Sequence, residues 1–215
     1  MCGIVGYVGK RNAAPILMDG LDKLSYRGYD SAGIAVIGAD NRIGVRKAKG
    51  KLENLSRLLE TSPAAGSVGI GHTRWATHGA PTDANAHPHM SCDGRFSVVH
   101  NGIIENYMAL REELTVSGYT FSSQTDTEVI VHLIEMYYNG DFKEAVMKAT
   151  SRLEGSYALG VLCADCPGKI IAVREASPLI LGIGVGENFL ASDVTALVAY
   201  TRNALYLDDG EFAEL

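Results

Sequence analysis

Long apolar runs and an excess of basic charge are both missing from this sequence. No apolar stretch approaches the roughly 18–20 residues that a helix needs to cross a bilayer. The N-terminus has no basic segment leading into an apolar one, so no secretory signal is expected. Glycine stands third rather than second, which argues against myristoylation. Lysine and arginine number 19 against 25 aspartates and glutamates, a net charge of −6, and no basic stripe forms, so nucleic acid is not expected as a partner. Cysteine is scarce: four residues, at 2, 92, 163 and 166, do not make a disulfide framework without a secretory context. The expectation is a reduced, cytoplasmic protein. Linkers, internal repeats and low-complexity segments are also absent, which leaves a single domain spanning 1–215. What is present is an ordinary globular balance, 47% apolar and 20% charged over 215 residues, enough for a sizeable core.

Hydrophobic spacing divides the chain. Strands are predicted over 3–8, 34–37 and 43–48, and another begins in SVGIGHTRWATHG. Helices are predicted over 13–24 and 52–60. Residues 76–92 show no period and are rich in His, Pro, Asn and Asp; irregular loops of that length are usually functional. FSVVHNG reads as a strand that ends at its glycine. Helices follow near 105–117, 127–138 and 142–153. Four strands come next, in SYALGVLC, KIIAVRE, LILGIG and ENFLAS. A short helix near 194–198 and two strands around 204–214 close the chain. Strands, then helices, then consecutive strands with tight turns predict an α+β fold of antiparallel sheets with helices packed outside.

Four stretches carry candidate chemistry. Cys2 is open to three readings: a buried strand residue, a lipid attachment point, or a nucleophile at a processed N-terminus. The third has a physical basis. An α-amino group with pKa about 7.7–8.0 is roughly a tenth to a fifth neutral at pH 7, a far better base than lysine at about 10.4. A cysteine at the true N-terminus therefore carries a usable base on its own Cα, provided Met1 is removed. In HNG, Asn101 and Gly102 can supply a side-chain amide and a backbone N–H to a developing oxyanion. The same pair also reads as an ordinary strand-ending turn. HTRWATHG gathers Arg74, Trp75, Thr77 and His78 in one loop, and an arginine fork with nearby hydroxyl and imidazole suits a carboxylate. In TDTE, Thr125 or Asp126 is placed to cap the following helix, or Asp126 to meet a ligand ammonium. Together these groups suit an α-amino acid bearing a side-chain amide. The Cys163/Cys166 pair reads as structural, Cys92 as isolated, and the His87/His89 pair lacks nearby acidic partners. No metal site is expected.

MCGIVGYVG, LSYRGYDSAGIAV, GHTRWATHGAPTDANAHPH, VVHNGIIENY, TDTEVI, LEGSYAL and ENFLASD, in that order, carry a resemblance across essentially the whole chain. The sequence resembles the glutaminase domains of class II glutamine amidotransferases, and within them the glutamine–fructose-6-phosphate aminotransferase family. RGYDSAG and HTRWATHG point to that branch. The resemblance implies the N-terminal nucleophile hydrolase fold, a four-layer α/β/β/α sandwich with two central antiparallel sheets. It implies that Cys2 becomes the first residue and attacks the side-chain amide of L-glutamine. Its α-amino group then serves as base and acid around a γ-glutamyl thioester, which water hydrolyses. Asn101 and Gly102 match the oxyanion hole. Arg74, Thr77 and His78 match the carboxylate side of the glutamine site, and Asp126 the ammonium side. Arg27 matches a residue near the nucleophile, and Trp75 lies in the loop that covers glutamine and gates ammonia. His87 falls in the same neighbourhood without an assigned role. No cofactor is implied. In the family two sugar-phosphate isomerase modules follow, which bind fructose 6-phosphate and receive the ammonia, in a homo-oligomeric full-length enzyme.

Two other function classes remain alongside this one. One is the same chemistry feeding a different acceptor. The other is a binding module that holds glutamine without turning it over.

Overall fold

Side chains on a strand alternate between its two faces, and most strands of this chain are apolar on both. The computed structural model describes residues 2–215. The expected removal of Met1 lies outside the described residues. In chain order the elements are β1 (Gly3–Val8), α1 (Ala13–Leu24), β2 (Ser31–Ile37), β3 (Ile43–Lys49), α2 (Leu52–Thr61), β4 (Val68–Arg74), β5 (His89–Met90), β6 (Phe96–Ile104), α3 (Tyr107–Val116), α4 (Glu128–Tyr137), α5 (Phe142–Thr150), β7 (Gly155–Cys163), β8 (Ile170–Glu175), β9 (Ile180–Ile183), β10 (Asn188–Ala191), β11 (Ala204–Tyr206) and β12 (Phe212–Glu214). One sheet has the order β11-β9-β10-β1-β4-β2-β3 and the other β12-β8-β7-β6-β5. Every strand pairing within them is antiparallel.

The alternation builds three stacked cores. Val5, Ile34 and Val36 face Leu17 and Leu21 of α1 and Leu55 of α2. Their neighbours Ile4, Ala35 and Ile37 face the other way, into a middle core shared with Val99, Ala158, Leu162 and Ile170 of the second sheet. On that sheet Val98, Leu159, Val161 and Ile171 face outward onto α3, α4 and α5. Three cores between four layers give the expected α/β/β/α sandwich. Each fully buried Leu or Ile contributes about 1.5–3 kcal/mol, so the layers are fixed by the parity of the strands. Close contact of α1 with its sheet also needs β4 to be slim. A Cβ on Gly71 would stand 3.2 Å from both Leu21 Cδ1 and Ile34 Cγ2. No helix among the described residues is long and apolar enough to cross a membrane.

Element boundaries differ from expectation in places with physical causes. β2 begins at Ser31 rather than 34, because it pairs along its whole length with both β3 and β4. The irregular 76–92 stretch holds the short strand β5, which edges the second sheet. α5 stops at Thr150, whose hydroxyl turns back onto the carbonyls of Val146 and Met147. The predicted helix near 194–198 is a single 3-10 turn, Val194–Ala196, capped by Asp193. β6 does not end at Gly102. It runs on to Ile104 and stays in register with β7 throughout.

Candidate active site

Cys2 stands one residue before β1, whose first pair is Gly3 with Thr73 of β4. That register sets the thiol at the exit of β4. The Trp75 N–H donates to Cys2 Sγ at 3.3 Å, and the thiol reaches the Trp75 carbonyl at 3.7 Å. The second sheet supplies the other side of the site. Asn101 Nδ2 donates to the Cys2 carbonyl oxygen at 3.3 Å. A cavity of about 410 Å³ opens here, and Cys2, Arg27, Trp75, Thr77, Asn101 and Gly102 all line it. Six of the ten residues selected from sequence are thus brought together. Burial pushes the Cys2 thiol above its ordinary value, opposed by the Trp75 backbone hydrogen bond and by the Arg74 charge. A thiol so raised holds little thiolate at neutral pH and needs a base at the moment of attack.

Asn101 and Gly102 are not a turn, as the common reading of such a pair has it. They lie inside β6, opposite Ala158 and Tyr157. Gly102 has φ +133°, and a Cβ there would fall 1.9 Å from the Ser156 carbonyl oxygen. Glycine is what lets the strand continue past that carbonyl and present this edge to the cavity. The Asn101 side chain is fixed from behind. His72 Nε2–H donates to Asn101 Oδ1 at 2.9 Å, which leaves Nδ2 turned toward Cys2. His72 was only one of several histidines in the sequence; its role depends on a contact between β4 and β6 that no local pattern encodes.

His87 does not line the cavity. It is buried behind His72, ring centroids 4.3 Å apart, with His89 at 4.8 Å and His100 at 6.5 Å. His89 and His100 meet the hydroxyls of Thr125 and Thr127 at 3.0 and 2.8 Å. Those contacts also correct the capping expectation for TDTE. Neither Thr125 nor Asp126 caps α4, and Thr127, which flanks it, makes no side-chain cap bond, because the threonine hydroxyls serve buried imidazoles.

Burial holds all four imidazoles below their ordinary value, His72 at about 3. The sign of the pH dependence follows. The unfolded chain takes up protons near pH 6.5 and the folded one only well below, so the stability is present above about 6.5 and lost as pH falls. Each imidazole removes about 1.4 kcal/mol per pH unit in that window, against a total of about 5–15 kcal/mol. Acid unfolding is therefore expected to be cooperative with a midpoint of about pH 5. Circular dichroism across pH 7 to 3 checks this, and a fold intact below about pH 4 would show that the cluster is not held neutral.

Arg74, at the end of β4, is buried. One terminal nitrogen donates to the carbonyls of His78 and Gly79, while Nη1 is buried without a hydrogen-bond partner. An unpartnered buried guanidinium nitrogen marks a place where an anionic ligand would complete the bonding. His78 Nδ1 lies 3.8 Å from Asp126 Oδ1, and Asp126 Oδ2 accepts from the Ile104 N–H at 2.9 Å. Arg74, His78 and Asp126 thus form a second group, which does not line the Cys2 cavity but lies within electrostatic reach of it through Arg74. Trp75 is 55% exposed and Thr77 is exposed, so the 75–77 loop sits over the site rather than within the core. Asp30 anchors that loop by accepting from the Ala76 N–H at 2.6 Å. Asp30 carried a signal, since it stands inside RGYDSAG, but its partner is 46 residues away. Cys163 is buried, and burial pushes its thiol up to about 12, as suits an inert core residue.

The glutamine amidotransferase domain family matches residues 60–215 of the chain. Glutamine–fructose-6-phosphate aminotransferase (isomerizing) of Caldanaerobacter subterraneus subsp. tengcongensis is 59% identical over 213 residues, covering 99% of this chain and 35% of that protein. The protein of the same name from Pyrococcus horikoshii is 53% identical over 214 residues, again 99% of this chain and 36% of the relative. The chain thus spans about a third of the length of these curated relatives. Among solved structures, the glutamine phosphoribosylpyrophosphate amidotransferase of B. subtilis, complexed with ADP and GMP, superposes with TM-score 0.86 at 27% identity, covering 99% of this chain and 47% of that one. A glutamine aminotransferase class-II domain protein from Silicibacter pomeroyi, at 14% identity, shares the fold with TM-score 0.66, covering 99% of this chain and 94% of that one.

Proposed function

The chain belongs to the glutamine amidotransferase domain family, and from that premise we propose that it hydrolyses the side-chain amide of L-glutamine to glutamate and ammonia at Cys2. The observation that carries the reading is the meeting of a raised thiol and an amide donor across two sheets, Cys2 against Asn101, in one cavity. Met1 is removed, and the freed α-amino group takes the thiol proton. The sulfur attacks the amide carbon. The developing oxyanion is met by Asn101 Nδ2 and the Gly102 N–H, groups worth about 3–4 kcal/mol each in comparable sites. The protonated amine hands its proton to the departing ammonia. A γ-glutamyl thioester remains, and water releases glutamate from it.

Arg74 receives the substrate α-carboxylate, which supplies the partner that its Nη1 lacks, with Thr77 and His78 beside it. Asp126 Oδ1 takes the α-ammonium, since Oδ2 is already bonded to β6. Arg27 steadies the mouth of the cavity, and Trp75 closes over it when the loop settles on substrate. His87 acts only by packing on His72. Residues 1–215 are read as one glutaminase domain. In the whole protein the ammonia goes to fructose 6-phosphate on following isomerase modules, in a cytoplasmic homo-oligomer. Identities of 53–59% to proteins named for that acceptor, against 27% for the phosphoribosylpyrophosphate amidotransferase, support this acceptor over others.

The test uses chain whose intact mass confirms a start at Cys2. Incubation with L-glutamine is expected to release glutamate and ammonia in equal amounts. A correctly started chain that binds glutamine and releases neither would overturn the hydrolytic reading in favour of a binding module.

A further inference from the structure

We propose that Cys92, His132 and Glu135 form a binding site for one thiophilic divalent cation of the zinc class, outside the Cys2 cavity. In the sequence Cys92 stood isolated, and no metal was expected. The fold corrects its isolation. Cys92 lies in the tight turn between β5 and β6, and α4 packs against that turn. His132 and Glu135, three residues apart on α4, point the same way. Sγ of Cys92 is 3.7 Å from His132 Nδ1, and Nδ1 is 3.6 Å from Glu135 Oε2. All three donor atoms lie within 4.8 Å of one another, and no other group of three potential ligands among the described residues does so.

The two spacings to His132 Nδ1 are close to what a tetrahedral ion imposes. Bonds of about 2.3 Å to sulfur and about 2.0–2.1 Å to nitrogen and oxygen set the donors roughly 3.3–3.6 Å apart. The two nitrogen spacings therefore need shifts of a few tenths of an ångström, and the sulfur–carboxylate pair, which lies within 4.8 Å, closes by about 1.3 Å at most. Its carboxylate is already positioned. Glu135 Oε2 accepts from the Cys92 N–H at 2.9 Å and Oε1 from the Asp93 N–H at 3.0 Å, and each oxygen keeps a second lone pair.

The support behind the imidazole is also built. His132 is 1% exposed, and its ring is flanked by Phe121 at 4.8 Å and Tyr119 at 5.5 Å. Its far nitrogen, Nε2, is buried without a hydrogen-bond partner but lies 3.7 Å from Glu128 Oε1. Glu128 is itself held by the backbone N–H and hydroxyl groups of Ser122 and Ser123. A small rotation gives Nε2–H to Glu128 and turns the Nδ1 lone pair toward the cation. This is the carboxylate–histidine arrangement that orients metal-bound imidazoles. The fourth position faces solvent beside Thr120, whose Oγ1 is 3.6 Å from Cys92 Sγ, so water or this hydroxyl completes the shell. Thiolate and carboxylate together balance a 2+ ion. Binding transfers the Cys92 thiol proton to solvent, one per cation. Sulfur and nitrogen donors exclude the oxygen-seeking calcium and magnesium. The occupied site would clasp the β5–β6 turn to α4.

Cobalt(II) is the probe, because four-coordinate cobalt with a thiolate ligand absorbs in the visible and shows a sulfur-to-metal charge-transfer band. The full chain is titrated as Cys2→Ala, which removes the catalytic thiol as a competing ligand. One equivalent is expected to saturate both sets of bands, and zinc to bleach them. Cys92→Ser in that background should remove the charge-transfer band, and Glu135→Gln should weaken binding about 10-fold or more. Cys92 is exposed, so its variant should keep the fold, which circular dichroism checks. The absence of a saturable charge-transfer band, or a band that survives Cys92→Ser, would overturn the proposal.

Discussion

Cys2→Ala is expected to take glutamate release to the uncatalysed background while L-glutamine still binds. The thiol is more nucleophilic than the Thr77, Ser156, Ser177 and Ser192 hydroxyls that line the cavity with it and is the group proposed to form the covalent intermediate, and alanine leaves the cavity open. Removing a nucleophile from comparable acyl-transfer sites costs about 10⁴-fold or more in turnover. Binding is assigned to Arg74, Asp126 and their neighbours, which the substitution does not touch. Coupled glutamate detection gives the turnover, and titration calorimetry with glutamine gives the affinity. Turnover comparable with that of the parent chain would remove Cys2 as nucleophile. Loss of binding along with turnover would instead show that the thiol helps hold the ground state.

Gly102→Ala is expected to damage both fold and catalysis. At φ +133° an L side chain is strained, and the added Cβ would meet the Ser156 oxygen at 1.9 Å, its carbonyl carbon at 2.7 Å and Tyr157 Cα at 3.0 Å. These are backbone atoms of β7, held by a register that runs from Phe96 with Cys163 to Ile104 with Gly155. Relief requires opening that ladder. Strain and broken pairing together cost about 3 kcal/mol or more, which lowers Tm by about 6–12 °C in a chain of this size. Gly94→Ala is the control. Its φ is +74°, yet a Cβ there meets nothing within 4 Å, so only backbone strain applies. Calorimetry of the two variants should separate them clearly. Equal losses would mean that β6 and β7 accommodate the methyl group, and that glycine at 102 is not required by the approach of the strands.

Much of this fold was legible because apolar parity is local. Val5 and Ile4, or Val98 and Val99, declare two buried faces with no knowledge of their partners. The site was legible where a residue type carries its chemistry with it, as a thiol beside a chain start or an arginine amid hydroxyls does. What stayed hidden depends on distances between residues far apart in sequence. His72 becomes a positioning residue only because β4 and β6 bring it 2.9 Å from Asn101. Asp30 becomes an anchor only across 46 residues. Cys92 looked solitary because its neighbours stand 40 and 43 positions later. Asn101–Gly102 looked like a turn because local statistics favour one, and the pairing with β7 overrides them.

That continuous strand also governs how the protein ages. An asparagine followed by glycine loses its side-chain amide readily in a flexible peptide: the glycine nitrogen attacks the amide carbon, a succinimide closes and ammonia leaves. The chain contains two such pairs, Asn101–Gly102 and Asn139–Gly140. The second lies in an exposed bend ahead of α5 and is open to this decay. The first is extended, paired with β7 and held at Oδ1 by His72, a geometry that keeps attacking nitrogen and amide carbon apart. Deamidation at Asn101 must therefore wait for β6 to detach from β7. The shelf life of the Asn101 amide is set by the opening rate of one strand pair rather than by the intrinsic lability of its dipeptide.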